Sequence, residues 1–134
     1  MGKFDKFSSK SLVEQGAKLY LLGADGAATD EWIIFVNKDS KRYAEAKLAY
    51  DRMSLEGKCK AGSEAFIKHV LSACVTEWSL EEECTAENVA ELLDVSPHNA
   101  SMLETFVFNI QGFLTLARLL SSEKQSEKTA SLEK

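Results

Sequence analysis

The segment LLGADGAATDEWIIFVNKDS (21–40) gathers the carboxylates with the most chemical promise. Asp25, Asp30 and Glu31 flank a Gly/Ala loop, and Asp39-Ser40 closes the apolar run behind it. A calcium loop of the EF-hand kind needs oxygen ligands at alternate positions, a central glycine and a bidentate glutamate at the twelfth. GADGAATDE lacks that spacing. A phosphate loop needs Gly-Lys-Ser/Thr at the start of a helix, which is also missing. The segment therefore reads as a turn between two strands, with Asp39-Ser40 capping a following helix.

The other reactive side chains are scattered. His69 and His98 are the only histidines, the first beside an apolar helical stripe and the second in the first turn of a helix. Cys59, Cys74 and Cys84 have no CxxC spacing, so no tetrahedral zinc set is spelled out. His69 and Cys74 are spaced so that a helix turns them away from each other, which argues against a thiol–imidazole pair. The carboxylates of EEE (81–83) and AENVAELLD look like a solvated helix face. No catalytic, metal-binding or cofactor-binding residue is singled out, and the chain is expected not to be an enzyme. TAENVAELLDVSPHNASMLETF has the rhythm of a DNA-binding helix-turn-helix. A recognition helix, however, presents Arg, Lys, Asn or Gln to bases and phosphates, and residues 96 to 117 contain no Lys or Arg. Two packed helices joined by a tight turn explain the segment better.

Composition narrows the class. A chain of 134 residues fits one domain that buries about two-thirds of its unfolded surface. The formal net charge of −5 disfavours a surface built to neutralise phosphates, so no nucleic-acid partner is expected. No apolar run approaches the roughly 18 residues of a membrane span. An odd cysteine count and no secretory signal at the start point to reduced thiols in a cytoplasm.

Several elements must position these groups. Ser11-x-x-Glu14 suggests a capping box for a very short helix that Gly16 stops. AKLYLL (17–22) and EWIIFVNK (31–38) suggest a two-stranded hairpin, with the second strand offering an edge for pairing. Tyr43, Ala46, Tyr50 and Met53 recur at helical spacing up to Gly57. Phe66, Ile67, Val70, Leu71, Cys74, Val75 and Trp78 give a second helix, about 63 to 78. Thr85 caps a short helix carrying Val89, Leu92 and Leu93, and Ser96-Pro97 opens the last one, about 97 to 120. Its stripe is Met102, Leu103, Phe106, Val107, Ile110, Phe113, Leu114 and Ala117. Phe108, Leu116 and Leu119 lie opposite, with Gly112 and Thr115, so the helix is either covered on all sides or meets another protein. The polar segment 121–134 is expected to fray or stay disordered. The fold class is α+β and mostly helical, an N-terminal hairpin packed on about four helices in one domain, 1–120.

The order of these features resembles a known family. SLVEQGAK, ADGAATDEWIIF, NKDSKRYAEAK, ACVTEWSLEEECTAENVAELL and SPHNASMLETFVFNIQGFL together are similar to the tail assembly chaperones of long-tailed bacteriophages, of the siphophage type. The similarity spans about residues 4 to 118. Its most specific pieces are Gly16 to Tyr43 and Trp78 to Asn88. It implies a non-enzymatic protein that coats the tape measure protein while the tail tube polymerises. Such a protein is displaced by tube subunits, stays in the host cytoplasm and is absent from the virion. The family often adds a longer, frameshifted product, and this chain resembles the short form. The pairs Glu123-Lys124, Glu127-Lys128 and Glu133-Lys134 could be encoded by an A-rich slip site. The residues singled out for self-association or client contact are Phe108, Gly112, Leu116 and Leu119, with Trp32 and Ile34 on the strand. The alternatives are a structural tail or head-completion protein retained in the virion and, behind it, a helix-turn-helix regulator.

Overall fold

The β-branched and aromatic run ending in Ile33-Ile34-Phe35-Val36 forms a strand, as its residue types favour. In the computed structural model, which describes residues 2–133 with side chains through residue 126, it is β2 (Ala28–Phe35). Gly23 and Gly26 close the turn behind it, Gly23 N donating to Ala27 O and Gly26 N to Gly23 O. β2 pairs antiparallel with β1 (Ala17–Leu22) on one side and with β3 (Val75–Trp78) on the other. The expected two-stranded hairpin is thus a three-stranded sheet, and β2 is its centre. The strand proposed as a free edge is paired on both sides from Ile33 to Phe35, which closes that stretch to strand addition.

β3 replaces the last turn of the expected second helix. That helix, α3, covers 63–74 and contains a wide π-turn at Ile67–Leu71. The widening re-phases the stripe, so the consecutive residues Val70, Leu71 and Ser72 are all buried. Val75-Thr76 then favours extended backbone, where branched side chains fit better than on a helix. Val36 N donates to Cys74 O and joins the two segments.

The remaining helices are α1 (Lys10–Gln15), α2 (Lys41–Leu55), α4 (Ala86–Val95), α5 (Pro97–Phe108) and α6 (Ile110–Glu133). A 3-10 turn, Asp5–Phe7, precedes them. The architecture is mixed α+β and mostly helical, as expected. Ser40 and Thr85 cap α2 and α4, their hydroxyls accepting from Tyr43 N and Asn88 N. Three local expectations fail, one to a long-range partner and two to competing hydrogen bonds nearby. Ser11 lies inside α1, and Glu14 accepts instead from Lys41 N, at 3.0 Å, so it serves the start of α2. Ser96 Oγ donates back to Leu92 O rather than capping α5, although Pro97 does open that helix. The single helix expected over 97–120 is broken at Asn109 (φ −99°, ψ 96°), whose Oδ1 accepts from Gly112 N to start α6.

The break turns Phe113, Ala117 and Leu120 onto the sheet. Phe35 and Phe113, both fully buried, meet edge to face at 5.5 Å. The polar segment expected to fray from 121 begins inside α6. Ser121 Oγ donates to Gln15 Oε1, and Lys18 pairs with Glu123 at 3.2 Å. The side chains of 127–134 lie outside the described residues.

Gly16 carries the tightest backbone requirement. It ends α1 at φ 92°, ψ 179°, a region essentially closed to other residues, and a Cβ there would stand 2.8 Å from Phe35 O. Gly16→Ala should therefore lower the unfolding free energy by about 1–3 kcal/mol from backbone strain alone, with the clash against β2 adding to it. Urea denaturation checks this, and an unchanged midpoint would contradict it.

Candidate protein-binding surface

Apolar side chains left at the surface are the notable features of this fold. Phe108 ends α5, just before the break, and is 41% exposed. Its ring stacks on Phe66 (6.2 Å) and stands edge-on to Tyr43 (5.9 Å). Tyr50 extends the cluster, edge-on to Phe66 at 6.0 Å and stacked with His69 at 6.3 Å. Ile110, 44% exposed, lies across the break from Phe108. The helical stripe had placed Ile110 in the core and Phe108 opposite it. Phe108 precedes the break and stays on the exposed side of α5, away from the buried Leu103 and Val107, whereas the kink at Asn109 takes Ile110 out of the stripe.

The other residues singled out from the sequence do not share this surface. Gly112 lies under the Phe106 ring, where a Cβ would meet it at 3.1 Å, so its small size serves packing. Leu116 is half-buried against the core, and Leu119 is exposed. Ile34 is 6% exposed and presents no contact area. Trp32 lies half-buried opposite Tyr20 on the adjacent strand, with Lys18 Nζ about 5 Å from both rings (5.1 and 5.2 Å). Burial works against the Lys18 charge. The Tyr20 hydroxyl and the Glu123 carboxylate outweigh it and raise the pKa. Lys18 therefore clamps the sheet's outer face while joining it to α6.

A second concavity lies between α3, α4 and the start of α5, a groove of about 810 Å³. Ile67, Ala90, Leu93 and Ala100 form its apolar floor, the alanines leaving the room. Glu87, Glu91 and Asp94 follow one another along the exposed ridge of α4, with Glu64 and Glu104 on the facing helices. Lys68 is the one lysine in the lining. The sequence had shown these carboxylates as a solvated helix face. That they rim a groove depends on the placement of α3, which no local pattern encodes.

The histidines and cysteines do not assemble. Among the described residues no three His, Cys, Asp or Glu side chains gather to hold a metal ion. His98 Nε2 lies 3.3 Å from Leu22 O, beside Asn99, whose side chain both accepts from Leu22 N and donates to Leu22 O at 2.9 Å. This pair fastens α5 to the end of β1, a role that no local motif signals. The helix that would read DNA exposes Pro97, Ser101, Glu104 and Thr105, and no basic side chain. Among the described residues no helix is long and apolar enough to cross a membrane. Comparison with protein-family models, curated proteins and solved structures finds no match to this chain.

Cys74 is fully buried, and burial pushes its thiol from 9.0 up to about 12, against a smaller opposing pull from Arg42. Such a thiol stays neutral near pH 7 and is a poor nucleophile. In the unfolded chain it ionises near its ordinary value, so the unfolded state loses its proton first as pH rises. The stability held by the neutral thiol is thus complete below about pH 9 and is lost between 9.0 and about 12. Cys74→Ala should flatten the fall of stability with pH across that window, read from denaturation midpoints. A slope equal to that of the parent chain would contradict the assignment.

Proposed function

We propose that this chain is a non-enzymatic phage tail assembly chaperone, which binds the tape measure protein and assists assembly of the tail tube. The observation that carries the proposal is the aromatic corner at the α5–α6 break. Phe108 is held by two ring contacts yet leaves 41% of its surface to solvent. An anchor fixed before binding loses little rotamer freedom on contact, which favours affinity. Aromatic anchors also tend to carry most of an interface's energy. Ile110, two residues on across the break, adds a second exposed apolar side chain, and the net charge of −5 favours solubility of a chain that carries them.

A tape measure protein is expected to be long and helical, with apolar stripes that need cover until the tube forms around it. An amphipathic helix docks its i, i+3, i+4 and i+7 side chains on such a surface. The resemblance of residues 4 to 118 to the chaperone family supports the same client. On this proposal the protein acts in the host cytoplasm and is missing from finished particles, which separates it from a structural tail or head-completion protein.

Co-expression with a tape measure protein from the same phage genome provides the test. The chain should keep the tape measure soluble and co-purify with it. Phe108→Ser with Ile110→Ser should weaken the complex by about tenfold or more, the cost of losing one interface hot spot. The variant's thermal unfolding should stay cooperative. A variant that binds as tightly as the parent would remove the corner as the docking site. A tape measure that stays insoluble in the presence of the parent chain would remove the function.

A further inference from the structure

We propose that residues 3–10 of one copy dock in the groove between α3, α4 and α5 of another, so that the chain associates with itself. The inference does not depend on the tail-assembly proposal. The segment KFDKFSSK carries Lys3, Lys6 and Lys10 against Asp5 alone. Its two phenylalanines are among the most exposed large apolar side chains of the molecule, Phe4 at 66% and Phe7 at 74%. Each ring is covered only by its own neighbouring lysine, Lys3 Nζ at 5.5 Å from Phe4 and Lys6 Nζ at 5.0 Å from Phe7. The hydrogen bonds of residues 2–8 stay within residues 2–10. The 3-10 turn therefore presents two rings and a set of cations as a small preformed ligand.

The groove has the complementary character. Its lining holds five carboxylates against one lysine, over an apolar floor deep enough for ring-sized side chains. Docking would remove both phenylalanines from water and set the lysines against Glu87, Glu91 and Asp94. Opposite potentials of this kind fix register and speed encounter. They also offset the mutual repulsion of two chains that each carry −5.

The contact is assigned to a second copy because the arm does not seat in its own groove and α1 behind it is fixed elsewhere. Val13 is buried, Gln15 Nε2 donates to Ala117 O, and Glu14 Oε1 accepts from Lys41 N. These bonds hold α1 against α6 and the start of α2, and no residue of α1 or of the arm lines the groove. Exchanged reciprocally, arm and groove join two copies about a two-fold axis; passed on from one copy to the next, they build rings or open chains.

Sedimentation velocity at low ionic strength tests this across a wide range of concentration. The parent chain should grow in mass with concentration and do so less as salt is raised. Phe4→Ser with Phe7→Ser, and separately Glu87→Lys with Glu91→Lys, should each weaken association by about tenfold or more. Both pairs lie on exposed positions, and circular dichroism should match the parent. Mixing the two variants should restore a heterodimer, since one intact groove and one intact arm remain. Lys3→Glu with Lys6→Glu should likewise associate with the Glu87→Lys, Glu91→Lys chain. A parent that stays monomeric, an arm variant that associates like the parent, or a mixture that gives no heterodimer would overturn the proposal. So would fluorescence evidence that the arm contacts its own groove at every concentration.

Discussion

The structure depends on the burial of the second half of β2, which is paired on both edges from Ile33 to Phe35. Ile33, Phe35 and Val36 of the central run are 2% exposed or less, and Phe35 locks edge-on against Phe113 of the longest helix. Each such side chain, removed from water, contributes roughly 1.5–3 kcal/mol before chain entropy is counted. The ladder to β1 and β3 satisfies the backbone polar groups that the same burial would strand. Gly16 is the condition for this arrangement, because only a residue without a Cβ lets α1 turn into β1 so close to Phe35.

Long-range polar contacts then orient the helices around that strand. Glu14 serves the first turn of α2, Asn99 grips the end of β1 from α5, and Gln15 bonds both Ala117 O and Ser121 of α6. Hydrogen bonds of this kind contribute on the order of 1 kcal/mol each. Their value here is geometric, since each ties elements far apart in sequence. Together they leave the α5–α6 break and the α3–α4 groove as the two places where helices meet without closing over.

Much of this was legible in the sequence where the signal was local. Ser40 and Thr85 as caps, Pro97 at a helix start, Gly16 as a stop and the turn at Gly23 to Gly26 all follow from side-chain chemistry within a few residues. The errors fall where a distant partner or a competing local bond decides. The periodicity of 66 to 78 read as one helix because nothing local reveals that Val75 to Trp78 has β2 to pair with. The stripe from 102 to 117 read as one helix because Asn109 breaks it without proline. The break takes Ile110 out of that stripe, while Phe108, ahead of the break, stays on the second face with its ring against Phe66 and Tyr43. Of the residues singled out for binding, Phe108 and Leu119 are at the surface, Ile34 is buried, and Gly112 is a packing glycine. The arm at 3–10 and the groove went unrecognised because exposure and complementarity are properties of the folded surface.

A rigid core with preformed apolar contacts at its surface suits a protein whose work is to hold another and release it. Hydrogen exchange of the chain with and without the tape measure protein, at concentrations where self-association is negligible, tests that claim most directly. New protection should appear at residues around the α5–α6 break, about 104 to 113, while β2 exchanges as slowly as before. Unchanged exchange at the break, with protection gained elsewhere or nowhere, would contradict the account.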